Sequence, residues 1–312
     1  MMKKGHKIAI GLLVLLLTAI FFKVIIMAQA KMTWLSKESG KRTAENEEEF
    51  IWEVYEGMLS GEKDIEVSYY GRDYKEIHNN FLKSTIKKIF AIDDPDTTDD
   101  FDYMSYNLDE VSINTKSALL NSVTITISPK WKESKKETKT VNKKIEKILK
   151  ELNLDQDSNY KKIKKIHDYM VRNFSYDEEL KNYTVYDGLK NKKMVCQGYM
   201  LLAYKLLAEA GIPVKCVDGT ATNSMGTQTH GWNLVKIGKY WYNFDATWDD
   251  PILWGDEEIK AEMEDHISYE YFLKGSGSFS KNHAPGKEFQ SAKFKKQYPV
   301  SKKDYPTQSL YK

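Results

Sequence analysis

The sequence contains a cysteine, a histidine and an aspartate whose residue types and surrounding patterns suit one catalytic site. Cys196 opens an apolar run that ends at Gly211 and Pro213, an order typical of the end of a helix. The cysteine is therefore predicted at the amino terminus of that helix, where the helix dipole favours the nucleophilic thiolate. Cys216 lies in the run VKCVDG and is expected to be a small core residue of a strand.

His230 and Asp245 belong to the run THGWNLVKIGKYWYNFDATWDDP, whose two strand-like halves flank a turn that begins with Gly238. A two-residue turn with glycine first predicts a type II′ hairpin in which Ile237 pairs with Tyr240. In that register His230 and Asp245 are diagonal neighbours on one face, with backbones about 7–8 Å apart and side chains within reach. A slip of one residue would place them on opposite faces.

These three residue types can perform acyl transfer through a covalent intermediate. The thiolate attacks an acyl carbon, the imidazole accepts and returns protons, and the carboxylate fixes the imidazole tautomer and stabilises the imidazolium. The alternative is a metal site made by Cys196, His230 and Asp245 with His266 or His283. Zinc sites usually show a tighter ligand spacing, so we predict neither a metal nor a cofactor. Phosphate-binding glycine motifs are also missing, which argues against a nucleotide.

The composition excludes several other classes of protein. The 312 residues suggest about two domains. Lys plus Arg number 47 and Asp plus Glu 45, which argues against a strongly basic nucleic-acid binder. Two cysteines cannot build a disulfide framework or a four-cysteine zinc site. A lone Cys196–Cys216 bridge is left as the uncommon alternative to two free thiols.

The amino terminus carries a long apolar segment. An uncharged run from Ile8 to Phe22 is followed by Lys23 and then by VIIMAQA, which ends at Ala30. It has two interpretations: a signal peptide cleaved after Ala30, or an uncleaved transmembrane anchor of about 20 residues. We favour the anchor, because the apolar stretch after Lys23 is long for a cleavage region. Either one predicts an extracytoplasmic protein, held at the cell membrane by a single pass or secreted.

The rest of the chain divides by its patterns of apolar residues. A helix is predicted from Glu47 to Leu59 and another from Asp73 to Phe90, with strands at 65–71, 104–113 and 119–127. The Asp-rich run 93–102 lacks the glycine and final glutamate of a calcium loop and is expected to be a solvated loop. The predicted domains are an anchor or signal segment (1–30), a polar stalk (31–45), a small α+β domain (46–135), a catalytic domain (140–285) and a basic, solvated tail (286–312).

Two lysine-rich helices, at 141–152 and 159–174, each present one apolar face. Their lysine and glutamate side chains are expected to form a solvated face. His167 falls on the second of them, where a surface or core-edge position is expected. We assign it no chemistry.

The segment that carries the three residues resembles the transglutaminase-like superfamily. The resemblance rests on MVCQGYMLLAYKLLAEAGIPV, on HGWN and on FDATWDDP, with flanks IKKIHDYMVRNFSYD and YEYFLKGSGSFSKNHAPG that are similar to those of bacterial members. It covers about residues 155–285. It implies an α+β, papain-like fold in which a cysteine helix packs on an antiparallel sheet. It also implies Cys196 as nucleophile, His230 as base and acid, and Asp245 as the residue that orients the histidine.

The chain departs from the family at the oxyanion donor. Relatives use an upstream tryptophan or glutamine, and no tryptophan lies between Trp131 and Cys196. Tyr186 and the Cys196 amide are the donor candidates, and Gln197 and Trp232 are candidates for the cleft wall. One missing donor costs about 10²–10³ in rate, so this departure bears on activity.

The function expected from residues and resemblance together is that of a thiol enzyme. Cys196 would attack a peptide or glutamine amide, and the thioester would be resolved by an amine or by water. The expected partners are protein or peptide substrates, including cell-wall peptides, and the membrane through the N-terminal segment, but not nucleic acid. The alternative is an inactive module that binds wall or surface proteins.

Overall fold

A computed structural model describes residues 41–93, 97–117, 122–250 and 267–306. The apolar segment 1–30 and its two interpretations lie outside the described residues. Within the described ranges, no helix is both long and apolar enough to cross a bilayer. The chain forms two compact units: the first holds the described residues up to Asp93 and Asp109–Lys130, and the second holds Asp94–Leu108 and the chain from Trp131 onward.

The first unit is a four-stranded sheet with helices. Across the sheet the strands follow the order Arg42–Ala44 (β1), Ile65–Tyr69 (β2), Val123–Trp131 (β4) and Leu108–Ser117 (β3). Its apolar residues alternate along β2 and β4, as expected for strands that bury one face. Helix α1 is capped by the Asn46 side chain and ends at Gly61, whose φ of 67° favours glycine. The elements are β1 (Arg42–Ala44), α1 (Glu47–Ser60), β2 (Ile65–Tyr69), α2 (Tyr74–Asn80), a π-helical turn (Phe81–Thr85), α3 (Ile86–Ile89), β3 (Leu108–Ser117) and β4 (Val123–Trp131).

The expected polar stalk is wrong at its described end. Arg42–Ala44 pairs in parallel with β2, and the Arg42 guanidinium donates to Glu53 and Glu62 at 3.1 and 2.7 Å. These partners are distant in sequence, so no local pattern indicates the strand. The remainder of the stalk, residues 31–40, lies outside the described residues.

The second unit contains the three residues of interest. Its main sheet is antiparallel, and its strands follow the order His283–Pro285 (β10), Val214–Asn223 (β7), Gly226–Ile237 (β8) and Tyr240–Phe244 (β9). Ser175–Tyr176 (β5) and Lys193–Met194 (β6) form a separate, small parallel pair. The elements are α4 (Phe101–Asn107), α5 (Lys135–Leu152), α6 (Asn159–Asn173), β5 (Ser175–Tyr176), α7 (Val185–Asn191), β6 (Lys193–Met194), α8 (Cys196–Glu209), β7 (Val214–Asn223), β8 (Gly226–Ile237), β9 (Tyr240–Phe244), α9 (Ser276–Phe279), β10 (His283–Pro285), a 3₁₀ turn (Lys287–Gln290) and α10 (Ala292–Gln297).

Helix α8 packs on one face of the main sheet, as the α+β prediction of a cysteine helix on an antiparallel sheet requires. Cys216 and Val235 share one large core with α8, and the Asn233 amide donates to the Met200 carbonyl at 3.1 Å. Val217, Trp232 and Leu234 belong to a separate cluster with Phe279. The alternation of side chains along β7 and β8 therefore assigns neighbouring residues to different cores.

Two expectations for residues 97–108 are wrong. The strand expected at 104–113 begins only at Leu108, because residues 104–107 complete α4, and the described part of the Asp-rich run from Thr97 onward is half-buried or buried rather than solvated. The Asp102 carboxylate accepts the backbone N–H of Cys216 at 2.7 Å, and Asp99 pairs with Lys205, whose side chain is buried on α8. These tertiary pairs override the local pattern, and they place the segment in the second unit rather than in the expected domain 46–135.

The expected solvated tail, residues 286–312, is wrong for its described part. Val300 forms a parallel bridge with Trp241, and the Ser301 N–H donates to the Trp241 carbonyl at 2.9 Å. Phe294 and Tyr298 pack with the cluster around Trp241. The described lysines of this segment are exposed, whereas these aromatic side chains pack against the cluster around Trp241.

Candidate active site

Two contacts of the residues just before Cys196 fix the position of its thiol. Met194 pairs with Tyr176 in the β5–β6 ladder, and the Val195 N–H donates to the Asn182 carbonyl at 3.0 Å. Helix α8 then begins at Cys196, as predicted, and the thiol is partly exposed. Both cysteines are free. Cys216 is fully buried, and burial raises the pKa of its thiol well above the ordinary value.

The hairpin has the predicted register. Ile237 pairs with Tyr240 and Asn233 with Phe244, and Gly238 has a φ of 61°. His230 and Asp245 consequently meet on one face, where Nε2 of the imidazole and Oδ2 of the carboxylate are 2.7 Å apart. Both side chains are buried.

The Asp245 carboxylate is held by four donors. Its Oδ1 accepts the backbone N–H groups of Thr247 and Trp248 at 3.0 and 3.3 Å, and its Oδ2 accepts from His230 and from Nε2 of His283 at 3.2 Å. Burial alone would raise the pKa of Asp245, but the two histidines lower it far below its usual range. Asp245 is therefore an anion in a fixed orientation.

The imidazole of His230 contacts both the carboxylate and the thiol. Burial lowers its pKa, but the charge and hydrogen bond of Asp245, followed by a hydrogen bond with Cys196, raise the pKa of His230 to about 10. The imidazole is consequently protonated at neutral pH. A cation beside a thiol favours the thiolate, which is the nucleophilic form.

A cleft of about 410 Å³ opens over the thiol and the imidazole. Tyr176 lines it, although the sequence analysis gave this residue no role. Burial, followed by the charge of Cys196, raises the pKa of Tyr176 to about 12, so its hydroxyl remains a proton donor. The lining residues are Tyr176, Glu178, Leu180, Cys196, Ala221, Asn223, Met225, Gln228, Thr229, His230, Thr247 and Trp248.

The three auxiliary candidates from the sequence are not among these lining residues. The Tyr186 backbone N–H donates to Glu133 at 3.1 Å, and its side chain packs against the large core. The Gln197 amide donates to the Tyr106 carbonyl at 3.1 Å. Trp232 is buried in the other cluster and donates its indole N–H to Asn243.

From the sequence His283 is only a candidate metal ligand, whereas the structure places it behind Asp245. Its Nδ1 lies 2.8 Å from the Asn282 amide oxygen, and the Asn282 amide donates to the Tyr271 hydroxyl at 2.8 Å. The donor atoms of His230, Asp245 and His283 lie within 4.8 Å of one another, a spacing compatible with a metal ion. Here they already hydrogen bond with one another, and Cys196 does not belong to this group.

A second buried pair supports the loop that follows Asp245. His167 is fully buried, contrary to the surface or core-edge position expected, and its Nε2 lies 3.0 Å from Asp249. The Tyr199 hydroxyl on α8 donates to Asp250 at 2.6 Å. The two aspartates of WDDP thus attach the loop to α6 and α8.

Comparisons with known proteins agree with this architecture. Residues 146–246 match the core model of the transglutaminase-like superfamily, and the matched range includes Cys196, His230 and Asp245. No curated protein matches.

Two solved structures have limited similarity to the chain. One is a "Putative Cysteine Protease" from Cytophaga hutchinsonii, with 16% identity over 44% of this chain and 62% of that protein, at a TM-score of 0.30. The other is described as a TGase, with 15% identity over 70% of this chain and 61% of that protein, at a TM-score of 0.33. The chain thus spans about three fifths of the length of each. The family match confirms the resemblance seen in the sequence and assigns residues 146–246 to the transglutaminase-like superfamily.

Proposed function

We propose that this chain is a thiol enzyme that transfers acyl groups from peptide or glutamine amides. The observation that carries the proposal is the line of contacts from Asp245 through His230 to Cys196, which ends in an open cleft. The family match supports a cysteine enzyme at a coarse level. The assignment of roles to the three residues is our inference from geometry and charge.

In the first half-reaction, the Cys196 thiolate attacks the amide carbon. A C–S bond forms while the carbonyl electron pair moves to oxygen. Because Asp245 engages Nε2 of His230, Nδ1 is the nitrogen left to face the thiol and to protonate the departing amine. The C–N bond then breaks, the amine leaves, and a thioester remains.

Two donors are available for the oxyanion. The Cys196 N–H occupies the first position of α8, where backbone N–H groups have no partner within the helix. The Tyr176 hydroxyl is the second donor, because it lines the cleft beside Cys196 and stays protonated. Together they replace the tryptophan or glutamine that relatives supply.

In the second half-reaction, neutral His230 takes a proton from the incoming nucleophile, which bonds to the thioester carbon. The C–S bond then breaks and the Cys196 thiolate departs. An amine gives transamidation and water gives hydrolysis. Both use the same groups, so the test must measure both products.

The test uses the purified full chain with a glutamine-containing peptide and a fluorescent primary amine. Mass spectrometry follows the acylated Cys196 peptide, the crosslinked product and the hydrolysed product. We expect acylation at Cys196 that His230→Ala and Asp245→Asn weaken and that the matched Cys216→Ser control preserves. If Cys196 reacts with iodoacetamide at pH 6 no faster than an ordinary thiol, the proposal is wrong.

We also propose an extracytoplasmic location, with protein or cell-wall peptides as substrates. Its support is the apolar sequence between Ile8 and Phe22. A membrane-impermeant maleimide applied to intact cells should label Cys196, and alkaline extraction should separate an anchored from a secreted protein. Labelling only after lysis would contradict this location.

A further inference from the structure

Large apolar side chains stand exposed on the rim of the thiol cleft. Leu180 is 53% exposed and Met225 is 70% exposed, and both line the cleft. Single exposed apolar residues are common on protein surfaces, but two beside one reactive group indicate a binding surface. Trp248 and Tyr176 add aromatic surface to the same cleft.

Leu180 is held in a strained conformation. Its φ is 54°, in the left-handed region that residues other than glycine seldom occupy. The Asp177 carboxylate fixes the loop by accepting the backbone N–H groups of Lys181 and Asn182, both at 2.8 Å, and the Leu180 N–H donates to the Asp177 carbonyl at 3.0 Å. Strain that neighbouring contacts maintain is often found where a residue is presented for function.

Met225 is presented by the turn between β7 and β8. The Met225 N–H donates to the Asn223 side chain at 2.8 Å, and the hydroxyls of Thr222 and Thr227 lie 2.8 Å apart at the base of the turn. Methionine has a flexible, polarisable side chain that adapts to apolar ligands of different shape.

The charges in the cleft restrict the ligand further. Among the described lining residues, Glu178 is the only acidic side chain, and His230 supplies the only cation. The cation already pairs with Asp245 and Cys196. An acidic substrate side chain would therefore meet a carboxylate and no free cation, whereas an apolar one would cover the exposed surface.

From these observations we infer that the enzyme selects peptides with a large apolar side chain next to the reacting amide, and that Leu180 and Met225 bind that side chain. The inference rests on the proposed thiol chemistry and names its substrate class.

The test uses the full chain and peptidyl chloromethyl ketones, which alkylate the thiol as the Cys196 sulfur displaces chloride. Probes with leucine, lysine or glutamate beside the reactive group are compared by the second-order rate of Cys196 labelling. We expect the leucine probe to react about tenfold faster than the glutamate probe, since one apolar contact typically changes specificity by about 10-fold or more. Leu180→Ser and Met225→Ser should each reduce that preference.

The control variants are Leu82→Ser and Tyr240→Ser, which alter side chains of comparable exposure (61% and 39%) that do not line the cleft. They should keep both the preference and the rate with iodoacetamide, which has no side chain to be selected. For Leu180→Ser and Met225→Ser, each peptide rate is divided by the iodoacetamide rate of the same variant, so that only the preference is compared. Equal rates for all three peptide probes, with rapid iodoacetamide labelling, would overturn the inference and leave the proposed function standing. Slow labelling by iodoacetamide itself would overturn the proposed function.

Discussion

Two buried histidine–aspartate pairs lie close together in the second unit, and only one of them meets a nucleophile. His230 and Asp245 are 2.7 Å apart, and His167 and Asp249 are 3.0 Å apart. In both pairs burial lowers the pKa of the histidine and carboxylates raise it, with a net upward shift. By geometry and charge alone the pairs are alike.

Their surroundings differ. The ring of His167 packs against Phe244, Tyr269 and Phe272, with ring centroids 5.6, 5.2 and 4.9 Å away. The ring of His230 lines the cleft together with Cys196, and its interaction with Cys196 contributes to the raised pKa of His230. A histidine with a raised pKa is thus weak evidence for a functional site unless a nucleophile and an open cleft accompany it. We therefore expect a chemical role for the pair of His230 and Asp245 and a structural role for the pair of His167 and Asp249.

The largest expected effect follows from His230→Asn. The variant removes the imidazolium, so Cys196 should behave as an ordinary thiol, which at pH 6 is less than about 1% ionised. Iodoacetamide labelling of Cys196 at that pH should slow by about 10²-fold, and turnover should fall by about 10⁶-fold. Labelling is measured by mass spectrometry, with the buried Cys216 as the internal reference. Unchanged labelling would mean that the two pairs do not differ in chemistry.

The converse variant, His167→Phe, should affect stability rather than chemistry. It leaves Asp249 buried without its imidazole partner, and breaking such a pair typically costs about 3–5 kcal/mol. Urea unfolding should show this loss, while the folded fraction keeps its rate of Cys196 labelling. His78→Phe is the matched control, because His78 is only half-buried and contacts Thr115 at 2.9 Å. A comparable loss of stability in the control would show that the buried pair of His167 and Asp249 contributes no more to the free energy of unfolding than a half-buried histidine does.

The sequence anticipated those parts of the site that rest on local geometry. The hairpin register follows from the Gly238 turn, and the position of Cys196 follows from the helix that Gly211 ends. It did not anticipate Tyr176 or His283. Tyr176 reaches the cleft through its pairing with Met194, and His283 reaches Asp245 because β10 pairs with β7.

The same limit explains the errors in the fold. The run 93–102 has the composition of a solvated loop. Its Asp99 is instead paired with the buried side chain of Lys205, which is far along the chain and is not indicated by the local pattern. His167 reads as a residue at the core edge until Asp249 is placed against it. Buried polar residues are interpretable only with their partners, and these partners come from distant segments.

A smaller effect is expected from Tyr176→Phe, which removes one of the two proposed oxyanion donors from the cleft. If the hydroxyl stabilises the oxyanion, its loss should lower turnover by about 10², at the lower end of the range for one such donor. Labelling by iodoacetamide should change little, because that reaction forms no oxyanion. Tyr183→Phe is the control, since Tyr183 is 41% exposed and does not line the cleft. Equal losses in both reactions would indicate a structural role for Tyr176.

The smallest expected effect is the pH dependence of stability. The pKa of His230 is raised to about 10 in the folded chain, above the value of about 6.5 expected in the unfolded chain. The bound proton therefore stabilises the folded state fully below pH 6.5, and this stabilisation is lost as the pH rises through 10.

Urea unfolding of the wild type and of His230→Asn at pH 6.5 and pH 10 tests this. The free energy of unfolding of the wild type should fall relative to that of the variant by at least about 1 kcal/mol across the interval. The pair of His167 and Asp249 is present in both proteins, so its own titration cancels in the difference. A difference that stays constant with pH would show that His230 is neutral in the folded chain, and the two pairs would then differ in charge as well as in access.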